Sequence, residues 1–153
     1  MVDVVDKATR SRMMSGIRGR DTKPEVLIRS ALHRKGFRFR KNVKALPGRP
    51  DIVLPRYRAV ILVNGCFWHG HDCPLFKWPM TRKDFWREKI EGNKRRDEAN
   101  LKKLRALGWK VLVIWECALK GRSSIGCQQV AEVAARWIQF GVGDAQIGGK
   151  WKA

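Results

Sequence analysis

Two wholly apolar runs, Ala59–Val63 and Val111–Trp115, constrain this chain more than any other feature. Runs this short with no polar interruption read as core strands rather than helices. Ahead of the first, Asp51–Leu54 reads as a further strand, joined to it by the turn Pro55-Arg56-Tyr57-Arg58. Phe37 and Phe39 alternate with Arg38 and Arg40, the pattern of a half-buried strand. Helices fill much of the remainder. Thr22 and Glu25 make the T-x-x-E pattern of a capping box at the start of Lys23–Lys35, and Gly36 ends that helix. A longer helix begins at Thr81 and Asp84, runs to Leu107 and stops at Gly108. A last one spans Ile125–Phe140, with Val130, Val133, Ala134 and Trp137 as its inner stripe. The order α-β-β-β-α-β-α predicts an α/β fold in which a mixed sheet is flanked by helices. Residues 1–20 read as a basic N-terminal arm, 21–140 as a single domain, and the Gly-rich stretch 141–153 as a flexible tail.

Charge narrows the partners. The 153 residues carry 33 Lys+Arg against 14 Asp+Glu, a formal net charge of +19. Such a balance favours a polyanion, with nucleic acid first and an anionic membrane surface second; a highly soluble protein without such a partner is the plain alternative. The basic residues are spread along the whole chain rather than gathered on one amphipathic helix, which suits a surface that wraps a duplex. Ala59–Val63 falls far short of the ~20 apolar residues that a membrane span requires. The start MVDVVDKATR shows no apolar stretch after a basic opening, so no secretory signal peptide is visible and a cytoplasmic, intracellular location is expected.

Between the helix at Thr81 and the strand at Ala59 lies an irregular stretch, Asn64–Pro79, long enough to suggest function. It holds Cys66, His71 and Cys73, and Cys117 follows the second apolar run. Three thiolates and an imidazole form a set that structural zinc prefers, and a loop with Gly65, Gly70 and Pro74 has little apolar mass with which to order itself. Unconnected buried cysteines and disulfides are the other readings. Cys127 reads as a core residue of the last helix. His69 lies among the proposed ligands, where a free imidazole would suit proton transfer; a spare loop histidine or an alternate ligand are equally open. Asp51 lies almost opposite Leu62 across the Pro55–Arg58 turn, so its carboxylate and a backbone carbonyl near Val63 are placed to share a hard cation, unless Asp51 simply caps its strand. Phe67-Trp68 reads either as a wedge that stacks in an opened base step or as a cover for the core. Trp86, Lys89 and Asn93 fall at i, i+3 and i+7 and share one helix face, suited to stacking on a base and bonding its edge. Phe85 and Ile90 offer ordinary packing instead.

Taken in order, DKATRS with Met14, PGRPDIV, GCFWH with His71 and Cys73, TRKDFWREKI and GWKVLVIWECAL resemble the very-short-patch mismatch repair endonuclease family over most of the chain. The resemblance implies a fold related to type II restriction enzymes, with a zinc-stabilised loop. It further implies a metal-dependent nick immediately 5′ of the thymine in T:G mismatches that arise by deamination of 5-methylcytosine. Carried onto this sequence, Asp51 binds Mg2+ with the Val63 carbonyl, His69 is the general acid/base and Glu25 its orienting partner. Cys66, His71, Cys73 and Cys117 hold Zn2+. Phe67, Trp68 and Trp86 intercalate beside the mismatch, Lys89 and Asn93 lie near its bases, and Met14 probes from the minor groove. The implied partner is mismatched duplex DNA, engaged by a monomer, with a repair protein as a further partner.

The sequence departs from wider patterns in two places. Ile61–Gly65 holds neither an acid nor a lysine, so the acid-x-Lys usual in the restriction superfamily is missing, an absence shared with the mismatch family. Asn64 stands where family members often have an ionisable residue, and an amide can hydrogen-bond but not carry a proton. Two rival functions are a non-catalytic zinc-containing DNA-binding module and a restriction-like nuclease with another target.

Overall fold

The chain reverses at Pro55–Tyr57, a single turn of 3-10 helix that ends on Arg58 in the left-handed region (φ 51°). In the computed structural model, which describes residues 22–149, this turn joins β2 (Ile52–Leu54) to β3 (Ala59–Asn64). The pairing is antiparallel, with Ile52 opposite Ile61 and Leu54 opposite Ala59, which is the register expected from the turn. The expected arm over 1–20, including Met14, lies outside the described residues. The remaining elements are α1 (Lys23–Arg34), β1 (Arg40–Lys41), α2 (Lys83–Ala106), β4 (Lys110–Trp115), α3 (Cys127–Phe140) and β5 (Ala145–Ile147). The sheet order is β1-β2-β3-β4-β5. β1, β2 and β3 pair antiparallel, while β3, β4 and β5 pair parallel, so the sheet is mixed.

Alternation along the strands gives each face its own core. Ile52, Leu54, Ile61, Leu112 and Ile114 point to one side, where Ile28 and Leu32 of α1 and Val130, Ala134 and Ile138 of α3 cover them. Val53, Val60, Val111 and Val113 point to the other, where Leu101 and Leu104 of α2 cover them. Each large aliphatic buried this fully contributes roughly 1.5–3 kcal/mol, so the two-sided sheet holds without covalent links. All four described cysteines are free thiols, which removes the disulfide reading. No described helix is long and apolar enough to cross a membrane.

α2 matters most for the site. Of its 24 residues only Ile90 and Leu104 are buried. Its far end rests on the sheet through Leu104, and its middle turns Lys89, Asn93, Arg96, Asp97 and Asn100 toward a cavity. Gly36 and Gly108, both at positive φ, terminate α1 and α2 in the way such glycines do.

Four local expectations are corrected. The strand read over Phe37–Arg40 reduces to Arg40–Lys41, since Phe37 is buried in the α1/α3 core without pairing. Thr22 makes no side-chain cap, and Glu25 is buried rather than serving an exposed capping box. The last helix starts at Cys127 after Gly126 (φ 90°). The tail expected to be flexible from 141 instead supplies β5. Asp144 accepts the Val111 N–H at 2.8 Å and pairs with Arg105, and Trp137 Nε1 donates to the Gly143 carbonyl at 3.0 Å. These bonds deliver Ala145–Ile147 to the free edge of β4.

Candidate active site and metal centre

The hairpin sets the first catalytic candidate. Asp51 sits just before β2, and its Oδ2 accepts the Val63 N–H at 2.6 Å. Glu25 of α1 is buried beside it, paired to Arg29 at 3.5 Å. Burial, then the Glu25 charge, push the Asp51 carboxyl up to about 8; the Val63 bond and Arg29 offset only part of this. Two carboxyls forced together away from water repel unless a proton or a cation lies between them. A carboxyl pair of this kind, lining the cavity, fits a hard divalent ion.

The second candidate comes from the loop after β3. The His69 N–H donates to the Gly65 carbonyl at 3.3 Å, which curls the loop back toward the strand end. Its ring Nδ1 lies 2.5 Å from Asp97 Oδ2 of α2. A carboxylate on Nδ1 fixes the ring and leaves Nε2 to exchange a proton with whatever occupies the cavity. That cavity has a volume of about 840 Å³, and Glu25, Asp51, Val63 and His69 line it together with Phe67, Trp68, Lys89 and Asn93. Asn64 lines it too, an uncharged amide among ionisable groups.

Behind the loop, Cys66, His71, Cys73 and Cys117 converge, their ligand atoms all within 4.8 Å of one another. His71 Nδ1 is 3.5 Å from Cys66 Sγ and 3.6 Å from Cys117 Sγ. Ligand atoms about 2.3 Å from a common ion stand roughly 3.8 Å apart in a tetrahedron, so the spacing suits one metal. Backbone N–H groups of Cys117 and Gly149 donate to Cys66 Sγ and Cys117 Sγ, each at 3.3 Å, as expected around thiolates. Burial raises the Cys66 and Cys117 thiols and lowers His71, so loading a cation must release protons here. The His71 ring stacks flat on Trp115 at 4.0 Å. Between the two histidines Gly70 adopts φ 60°, and a β-carbon there would meet Ile90 at 2.8 Å, so α2 can approach only a glycine.

The aromatic residues form one connected group. Phe67 touches Trp68, Phe76 and Trp86, with centroids 5.3, 5.9 and 5.4 Å away, and Trp68 lies 5.8 Å from Trp86. All three proposed intercalators are half-buried and lie outside the main core; Phe67 and Trp68 line the cavity, and Trp86 packs against them. Asn93 does not point freely into the cavity: its Nδ2 donates to the Trp68 carbonyl at 2.8 Å. Cys127 is half-buried against the core, as expected, with its Sγ 3.6 Å from the Leu27 carbonyl.

Similarity to known proteins agrees with this geometry. The family described as DNA mismatch endonuclease Vsr matches residues 2–75. The DNA mismatch endonuclease Vsr of Escherichia coli (strain K12) is 48% identical over 147 residues, covering 96% of this chain and 94% of that protein. The chain belongs to the Vsr DNA mismatch endonuclease family. Two further relatives carry nicking names. The type II nicking enzyme V.NmeAIP of Neisseria meningitidis is 46% identical over 80% of this chain and 88% of its own, and V.XorIIP of Xanthomonas oryzae is 46% identical over 78% and 88%.

Within this Vsr-family chain, sequence reasoning missed Asp97 as the partner of His69 Nδ1. Glu25, named for that role, lies instead against Asp51. A signal for Asp97 was present: it continues the Trp86, Lys89, Asn93 face by one more helical turn.

Proposed function

We propose that this protein hydrolyses one phosphodiester of duplex DNA, immediately 5′ of the thymine in a T:G mismatch left by deamination of 5-methylcytosine. The observation that carries the reading is the opening of Asp51, His69, Phe67 and Trp68 onto one cavity, with Trp86 packed behind the two rings. In this reading Asp51 and the Val63 carbonyl hold Mg2+, which supplies positive charge against the scissile phosphate when bound. Glu25 sets the charge on Asp51. His69, held by Asp97, moves the proton between water and the phosphate oxygens through Nε2. Cys66, His71, Cys73 and Cys117 hold Zn2+, which fixes the loop that carries His69. Insertion of Phe67, Trp68 and Trp86 costs least where pairing is already weak, so a mismatch is favoured over a matched step. Lys89 and Asn93 lie near the mismatched bases and Met14 reaches from the minor-groove side.

The proposal extends to architecture and setting. The fold is of the restriction-endonuclease type, with residues 1–20 as a DNA-contacting arm on a nuclease domain that works as an intracellular monomer. The test is direct. With Mg2+, the protein should nick the thymine strand of a T:G duplex and leave the matched T:A duplex whole. Equal cutting of both would make it a general nuclease, and binding without a nick would make it a recognition module.

A further inference from the structure

Trp68 and His69 are adjacent in the chain, and α2 holds both. Asn93 donates to the Trp68 carbonyl at 2.8 Å, and Asp97 meets His69 Nδ1 at 2.5 Å. Residues 93 and 97 are four apart, one turn of the same helix face. The Trp68 carbonyl belongs to the planar peptide unit that ends at the His69 Cα. Whatever sets the tilt of that plane therefore sets the origin of the His69 side chain and the exit direction of the Trp68 side chain together. Arg96 completes the arrangement: its guanidinium donates to Asn93 Oδ1. Arginine can only donate, so the amide oxygen faces Arg96 and the NH2 is left toward the carbonyl. The orientation of Asn93 follows from its two partners and not from a choice of fit.

We propose that Asn93 is a positioning residue that couples insertion of the Trp68 ring to placement of the His69 imidazole. This rests on the nicking function above and goes beyond a place near the bases. A displaced Trp68 ring turns the shared peptide plane, and Asn93 defines the position from which it turns. Selectivity then has a second source. A duplex that does not accept the ring leaves the imidazole in its unengaged position, so the wrong substrate is bound but cut slowly.

The decisive variant is Asn93→Asp, which keeps size and the Arg96 partner but sets an acceptor against the Trp68 carbonyl. Three readings are taken on zinc-loaded, full-length protein: the His69 ring ¹⁵N shifts without DNA, the T:G to T:A binding ratio without Mg2+, and the single-turnover nicking rate. Expected are moved ring shifts and, for duplex already bound, a nicking rate lower by about tenfold, the loss of one positioned hydrogen bond and a larger change than any in the binding ratio. Unmoved shifts, or a collapsed binding ratio with a normal rate once bound, would overturn the coupling and leave Asn93 as a base reader. Arg96→Ala, which frees the amide to rotate, should move the same readings in the same direction by less, and serves if Asn93→Asp does not fold; no movement there overturns the proposal equally. Failure of the parent protein to nick T:G would instead refute the nicking function, and the DNA-free shifts tell the two failures apart.

Discussion

The two polar centres of this molecule meet near the end of β3, at Val63 and Cys66, and solve opposite problems. In the cysteine centre every ligand atom faces inward, two sulfurs already accept backbone N–H groups, and Trp115 closes one side. A single cation would satisfy it and leave no position for substrate, which is the design of a structural site. The Asp51 centre is the reverse. Its two carboxyls repel, its carboxyl is pushed up to about 8, and it opens onto a wide cavity. Ligands satisfied at once make a scaffold, whereas carboxyls kept from ionising together beside an opening make a reactive site.

Three experiments press on that contrast. The largest effect is expected from Asp51→Ala, which should lower T:G nicking by ~10³-fold while zinc content and mismatch binding stay near those of the parent. Near-normal cleavage would move the catalytic cation elsewhere. Next, stripping the cysteine centre with a strong chelator should lower the unfolding midpoint by about 10 °C or more and abolish nicking as a consequence. A midpoint unchanged by the chelator would show that the centre carries no structural metal. The smallest effect is a pH slope. In the cation-free folded protein Asp51 keeps its proton to about pH 8, against an ordinary value of 3.8, so the folded state binds more protons between those limits. Stability from this group is therefore present at low pH and lost as pH rises through that window. Compared with Asp51→Asn, the parent should lose a few °C more between pH 5 and 8 by differential scanning calorimetry, and excess Mg2+ should reduce the difference. Parallel slopes in the two proteins would mean that the carboxyl pair is not frustrated.

Much of this contrast was legible in the chain. Pro55–Arg58 set the hairpin register, and the register put Asp51 beside Val63 because strand pairing converts sequence distance into spatial distance by simple counting. The cysteine centre was legible because soft ligands in a glycine-rich loop have few other uses. Asp97 was not, because it lies 28 residues from His69 in a helix crowded with charges, where any of several acids could face the loop. β5 was hidden for a different reason. Ala145–Ile147 has almost no strand character of its own, and is drawn into the sheet by Asp144, which lies outside it. The bond of Asn93 to the Trp68 carbonyl was not legible either, since nothing local shows that a backbone carbonyl from residue 68 will reach the amide.

That late strand redraws the practical border of the folded unit. Beyond β5 the chain runs directly over the cysteine centre: Gly148 rests against the His71 ring, and Gly149 donates to Cys117 where a β-carbon would stand 2.5 Å from the Cys117 carbonyl. The last described residues are thus a seal, fitted so closely at residue 149 that only glycine passes. A chain shortened to residue 140 would keep every catalytic and metal-binding side chain described above, yet expose the thiolates to solvent and oxidants. Anyone trimming, tagging or splicing this protein should count its end from the cysteine centre and not from the last helix.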